Sequence, residues 1–396
     1  MIPVLTSWED KDCRLDCLLP YFLSTSDFKL YNNEQKYICY IGDQYGGRIW
    51  NYEEQNGLVY EDWLNYLHVD DKIIKDINSD NCLLVIADIT EGYSVDIIEK
   101  CLTKFLGKFK IKKSNVLYFN GTFPIEDTYI NLTLYYKAGF IWPSYFFFNI
   151  IDAKWGKDFF HNILHEREKF RKNNTFEHDY ISLNFAYRYH RHYTAIKLFN
   201  DNFFNSKKTI ITWHANNHKI KPPKSLHDFN QWHNKSDINP KGFDHTKVLH
   251  SPYYNYNEEF DTVTSVDTND YSHIMFGIVT ETWIEELDYW PTEKIIKNLI
   301  TGQPFVLIGQ YKMIDAMRKL GFYVYDDLVD HSYDNEKDYI TRIDKALLSA
   351  KNFDVEKYRK NFNPRNITNN IHLARSNRFI NMLNDKIYNQ YNKLNI

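Results

Sequence analysis

What this chain lacks narrows its class before anything it contains does. The start, MIPVLTSWEDKDCRLD, has neither the basic opening nor the apolar run of a secretory leader, so none is expected. No apolar stretch is long enough to span a bilayer, because the richest one, 138–151, is short and interrupted by Pro143, Ser144 and Asn149. Cysteine is scarce. Cys13, Cys17, Cys39, Cys82 and Cys101 are odd in number, all lie within the first 101 residues and form no paired CxxC framework, which reads as reduced thiols in a cytoplasmic protein. Excess positive charge is missing too: a formal net charge of -4 excludes a protein whose main task is coating nucleic acid, which relies on clustered Lys and Arg. Without a GxSxG elbow or a GxxxxGK[ST] loop, α/β-hydrolase and P-loop chemistry are disfavoured. His161 with His165 and Glu166, and His214 with His218, repeat a spacing of four, but HNILHE is not HExxH and no third ligand follows, so no metal is expected.

What is present suits a large folded protein. At 396 residues the chain exceeds what one core usually supports, so two domains are expected. The aromatic fraction of 17%, with 31 Tyr and 27 Phe, supplies stacking surface, although the Tyr, Asn, Ile and Lys richness equally reflects an A/T-rich coding genome.

Hydrophobic patterning divides the chain into two α/β halves. YICYIG (37–42) reads as a buried strand entering the glycine-rich loop Gly42-Asp43-Gln44-Tyr45-Gly46-Gly47-Arg48. CLLVIAD (82–88) is a second strand, Ser94 caps a helix reaching Leu106, and NVLYFN (115–120) is a third strand, a spacing that predicts a parallel crossover. A charged helix over about 152–175 carries the boundary. HDYISLN then opens a strand near Asp179, a helix runs from His190 to about Asn202, and TIITWH (209–214) is the next strand, followed by a long polar excursion over 215–270. HIMFGIVTET (273–282), a helix capped by Thr292 and stopped at Gly302, PFVLIG (304–309), a helix through Met313 and Leu320, and FYVYDD (322–327) together predict βαβαβ. A final helix is expected over 379–394. The expected domains are 1–165 and 176–378, with 379–396 packing back on the first.

In open parallel sheets ligands bind beyond the carboxyl ends of the strands, where helix amino ends aim unpaired N–H groups outward. That rule groups Glu281, Thr292, Glu293 and Lys294. A nucleotide diphosphate needs cationic or N–H donors and its ribose needs a carboxylate acceptor, and Glu293 with Lys294 offers both. The same two residues also suit an ordinary helix start, with a first-turn acid and a solvated amine.

VTETW, PTEK, GQPFVLIG, RKLGFYVYDD and DHSYD (330–334) resemble a block found in bacteriophage and large-virus proteins described as glycosyltransferases. The TEK element is also similar to the donor site of alpha-1,3-fucosyltransferases, and ISLNFAYRYHRHYTAI (181–196) resembles the strand, loop and helix that open the donor domain in both groups. The resemblance covers roughly 180–350 and is weak in the first half. It implies the GT-B fold, two Rossmann-like domains facing across a cleft, and a metal-independent glycosyltransferase using a GDP- or UDP-linked sugar as substrate, without a cofactor. It implies Glu293 on the ribose, Lys294 on a phosphate, Arg191 or Arg188 on the diphosphate, Asn184 shaping the loop and His190 as a further phosphate donor. One extra residue between Asn184 and Arg191 relative to the fucosyltransferase pattern leaves the choice of arginine open. The catalytic base is expected in the first half, at Glu91, which the fucosyltransferase pattern favours, or Asp43, each of which also reads as an ordinary turn acid.

The acceptor is a glycan hydroxyl or a modified DNA base. DNA would call for a basic cleft beside the first-half loops, with Arg48, Lys108, Lys110, Lys112 and Lys113 as its cluster, a run that also reads as a solvated helix end. A non-catalytic nucleotide- or carbohydrate-binding protein on the same scaffold is the alternative function. Donor sugar, stereochemistry and oligomeric state are not written in these motifs.

Overall fold

The computed structural model describes residues 1–6, 28–30, 32–41, 70–88, 95–120, 135–137, 151–152, 154–184, 189–211, 266, 268–282, 284, 291–376 and 378–394. The chain divides into two compact units: Met1–Phe146 with Glu286–Trp290 and Arg375–Ile396, and Phe147–Glu285 with Pro291–Ala374. Each is built on its own parallel sheet with helices, two Rossmann-like α/β units.

The first sheet contains β1 (Ile2–Thr6), β2 (Phe28–Leu30), β3 (Tyr37–Ile41), β4 (Cys82–Asp88), β5 (Val116–Asn120) and β6 (Tyr135–Lys137). They lie in the order β2-β1-β3-β4-β5-β6, every pair parallel. Helices α1 (Asp71–Asn78) and α2 (Val95–Lys108) connect β3 to β4 and β4 to β5. Side chains alternate across a pleated strand. One face, Tyr37, Cys39, Ile41, Cys82, Leu84, Ile86, Val116 and Tyr118, therefore packs against Ile73 and Ile77 of α1 and Leu102, Phe105 and Leu106 of α2. Ile38, Tyr40, Leu83, Val85, Leu117 and Phe119 on the other face are buried as well, which explains why these strands read as unbroken apolar runs. β1 escapes the sequence reading because Pro3 interrupts its apolar pattern, a residue that argues against a strand within a sheet.

The second sheet comprises β7 (His178–Ser182), β8 (Thr209–Ile211), β9 (Ile274–Thr280) and β10 (Phe305–Ile308), ordered β10-β9-β7-β8 and parallel throughout. Its helices are α3 (Phe159–Asn173), α4 (Tyr189–Asn200), α5 (Asn202–Asn205), α6 (Thr268–Ser272), α7 (Glu293–Thr301), α8 (Met313–Lys319), α9 (Tyr339–Lys351), α10 (Val355–Asn361) and α11 (Pro364–Arg375), the last ending at the unit's border. Thr292 caps α7, accepting from the amide of Lys294, and Gly302 ends it at φ +85, the left-handed region that glycine enters without a steric cost. The helix read from His190 to Asn202 is two pieces, because Asp201 accepts from the Phe203 amide and starts α5 afresh. The last helix, α12 (Arg378–Tyr391), belongs to the first unit: Tyr391 donates to the carbonyl of Lys36, and Lys36 Nζ donates to that of Leu394. Among the described residues no helix is long and apolar enough to cross a membrane.

One expected strand does not form. FYVYDD (322–327) is buried at Phe322, Val324 and Tyr325, but side chains take the place of a neighbouring strand. Asn370 accepts from the amide of Tyr323 and donates to its carbonyl, His331 Nε2 donates to the carbonyl of Val324, and Tyr325 turns the chain at φ +66. Once its polar groups are satisfied this way, an apolar segment has no need of a ladder. The edge of β10 is handled likewise, since the amide of Leu307 donates to the hydroxyl of Tyr333.

A buried guanidinium ties the layers of the second unit together. Arg167 of α3, fully buried, donates to four main-chain carbonyls: Gly302 beyond α7, Tyr271 of α6, and Ile274 and Met275 of β9. Arg167→Met keeps much of the apolar stem but orphans these acceptors, at about 1–3 kcal/mol for each one left without a partner. A loss of at least about 3 kcal/mol in denaturant unfolding is expected, and a change below about 1 kcal/mol would contradict this role.

Candidate functional site

Strand order locates the site. Both sheets place their first strand between the second and third, so the winding direction reverses between β1 and β3 and between β7 and β9. At such a switch point the two connections leave in opposite directions and open a crevice at the carboxyl ends. In the second unit those ends run into Asn184 after β7 and Glu281 after β9.

Asn184 bridges the reversal, accepting from Thr280 Oγ1 at 2.7 Å and donating to Ser182 Oγ at 3.2 Å. Its position after a strand was readable in the sequence; its partner on β9 was not. His190 and Arg191, in the first turn of α4, turn toward the end of β9. His190 Nε2 donates to the carbonyl of Glu281 at 2.8 Å, and Arg191 donates to it through Nε at 3.2 Å and Nη2 at 3.0 Å. Arg191 Nη2 also reaches the carbonyl of Thr280, and both side chains are buried. Their described contacts thus lead to backbone at a strand end, where carbonyls with no further strand residue to bond would otherwise be orphaned.

The side chain of Glu281 faces the other way, toward α7. It is 1% exposed, its Oε2 accepts from Thr292 Oγ1 at 2.5 Å and its Oε1 from the Thr292 amide at 3.4 Å. Burial raises its pKa, with the Glu293 charge adding to that, while Lys294 and the Thr292 bonds oppose it. Glu293 and Lys294 form an ion pair at 2.9 Å, their side chains 10% and 18% exposed, and Lys294 Nζ also donates to Thr292 Oγ1 at 3.2 Å. Burial works against ionisation of Glu293, but the positive charges of Lys294 and Lys297 outweigh it and hold its carboxyl below the usual range. An ionised acid and an amine thus stand together at the amino end of α7, where the helix dipole favours bound negative charge. Lys297, buried on the same helix face four residues on, was missed by the sequence reading; its spacing from Glu293 was the available signal, hidden in the apolar stripe of Ile295, Ile296, Leu299 and Ile300.

Neither a family model, a curated protein nor a solved structure matches this chain. The candidate site therefore stands on its own geometry. Of the remaining predicted residues, Arg188, Glu91, Asp43, the glycines at 42, 46 and 47, Arg48 and the pair His214 and His218 lie outside the described residues.

Lys108, Lys110, Lys112 and Lys113 occupy the connection from the end of α2 into the amino end of β5, and Lys112 pairs with Asp80 at 2.6 Å. This is the helix-end reading of the run; Arg48 and the loops that follow β3 and β4 lie outside the described residues. Helix α2 carries the chain the full depth of the sheet before the lysines begin, which a reading by proximity in sequence does not reveal.

The DHSYD block sits beside β10. Asp334 accepts from the amides of Ile314 and Asp315 at 3.2 and 3.0 Å, filling the amino end of α8 with an internal carboxylate. Tyr333 donates to His331 Nδ1, and His331 Nε2 donates to the carbonyl of Val324. Burial is the leading cause of two opposite shifts: Asp334 rises from 3.8 to about 6, and His331 falls from 6.5 to about 4. A raised carboxyl contributes stability that is present below 3.8 and lost as pH rises through about 6. A depressed imidazole contributes stability that is present above 6.5 and lost as pH falls toward about 4. The two slopes oppose each other in one window. Asp334→Asn leaves only the histidine's slope, so the variant's melting temperature is expected to drop more steeply than wild type as pH falls from about 6.5 to about 4. Parallel melting profiles would refute the compensation.

Proposed function

We propose that the protein is a metal-independent glycosyltransferase of the two-Rossmann, GT-B type, whose second unit binds the nucleotide-sugar donor. The observation that carries this reading is the Glu293–Lys294 pair, largely buried at the amino end of α7 and hydrogen-bonded through Thr292 to the carboxyl end of β9 at a topological switch point. A carboxylate kept ionised accepts from ribose hydroxyls, and a fixed amine beside helix N–H groups neutralises the departing diphosphate, the main requirement of sugar transfer without a metal. The neighbouring amino end of α8 already holds Asp334, so α7 is the better place for a phosphate.

Arg191, spent on the carbonyls of Thr280 and Glu281, supports this site from behind. The diphosphate role expected of an arginine passes to Arg188. Activation of the acceptor hydroxyl is assigned to Glu91 or Asp43, which follow β4 and β3 in the chain. The acceptor is a hydroxyl of a glycan or of a modified DNA base.

The test is release of free nucleotide from a panel of GDP- and UDP-linked sugars. Wild type is expected to release nucleotide slowly from one donor, and Lys294→Ala to lower both donor binding and release by about 100-fold or more. Unchanged donor affinity in Lys294→Ala would overturn the phosphate role. Thermal stabilisation by a nucleotide without any release would point instead to a binding protein on this scaffold.

A further inference from the structure

Within the proposed donor site one residue touches everything and faces nothing. Glu281 is 1% exposed, too enclosed to meet a ligand, yet it joins three elements. Its amide donates to the carbonyl of Ile308 at the end of β10, its carbonyl receives His190 and Arg191 from α4, and its carboxylate receives the hydroxyl and amide of Thr292 at the start of α7. The Cβ and Cγ of Glu281 pack beside Gly309, the residue that follows β10.

Proton direction gives the carboxylate a second effect. Because Thr292 Oγ1 donates its only proton to Glu281, its lone pairs remain for the Lys294 amide at 3.3 Å and the Lys294 ammonium at 3.2 Å. The chain of donors runs from Lys294 to Thr292 to Glu281. Released from the carboxylate, the hydroxyl rotates freely and the amine keeps Glu293 but loses the second of its two fixed partners.

We propose that Glu281 is a positioning residue that acts through Thr292: it sets the hydroxyl of the α7 cap, and thereby holds the Lys294 amine and the first turn of α7 in register with the end of β9. The inference rests on the donor-site reading for its consequence in binding, but the ordering of α7 is independent of any ligand. Glu281 then governs donor affinity without touching donor. Its main-chain bonds to His190 and Arg191 survive side-chain substitution, so the strand end keeps its clamp.

Two measurements on the full chain test this. In the ligand-free protein, amide hydrogen exchange over 293–296 is expected to speed up about tenfold in Glu281→Ala and in Thr292→Val, with α9 unchanged and Glu281→Gln, which keeps an acceptor oxygen, close to wild type. Affinity for GDP and UDP is expected to fall about tenfold in each of Glu281→Ala and Thr292→Val, and no further in the double variant, because both break one relay. Unchanged exchange in Glu281→Ala, additive losses of affinity, or uniform loss of protection including α9 would each overturn the positioning role. Faster exchange confined to 293–296 in a protein whose wild type binds neither nucleotide supports the positioning role and removes the donor-site reading instead.

Discussion

The second unit depends on how β9 is held at its two ends. At the amino end Arg167 gathers the carbonyls of Ile274 and Met275, and at the carboxyl end Arg191 gathers those of Thr280 and Glu281. Burying a guanidinium is costly unless its donors are met, and the planar fork meets several carbonyls at fixed angles that a lysine does not reproduce. A further buried arginine, Arg342 of α9, adds the carbonyls of Gly309 after β10 and Ile284 after β9. Interior backbone groups beyond the reach of the sheet ladder are thus satisfied from helices, which locks each helix to a strand end. The residues at the carboxyl end of β9 inherit that rigidity.

Around the pinned strand, acids are sorted by what surrounds them. Glu281 and Glu293 are both buried within one small region, but the first meets a hydroxyl and an amide while the second lies against Lys294 and Lys297, so burial raises one and the lysine charges hold the other down. This separation leaves two neighbouring carboxyls with different partners: Glu281 binds the cap of α7, and Glu293 pairs with Lys294. Asp334 is a third case, raised by burial while it fills a helix end that would otherwise attract an anion.

The edge of β10 follows the same economy. An additional strand would have covered it, but the hydroxyl of Tyr333 takes the Leu307 amide, while Asn370 and His331 satisfy the backbone of the segment after α8, which folds as a turn. The prediction of a strand at FYVYDD failed because apolar patterning reports burial, and burial does not specify where the polar backbone finds its partners.

By itself the sequence determined the elements whose signals are local. The unbroken run CLLVIAD, the cap at Thr292, the stop at Gly302 and the stripe of α7 each follow from contacts between residues a few positions apart. It also placed Asn184, Glu281, Glu293 and Lys294 near strand and helix ends, because those ends are read from the same local patterns. Tertiary structure alone decided the strand order, and with it the switch point. It alone sent Arg191 to a strand end, brought the carboxylate of Glu281 onto Thr292 and set the lysines after α2 at the amino end of β5. These outcomes depend on which strands become neighbours, a choice made by pairing segments up to about a hundred residues apart, and no local pattern carries that information.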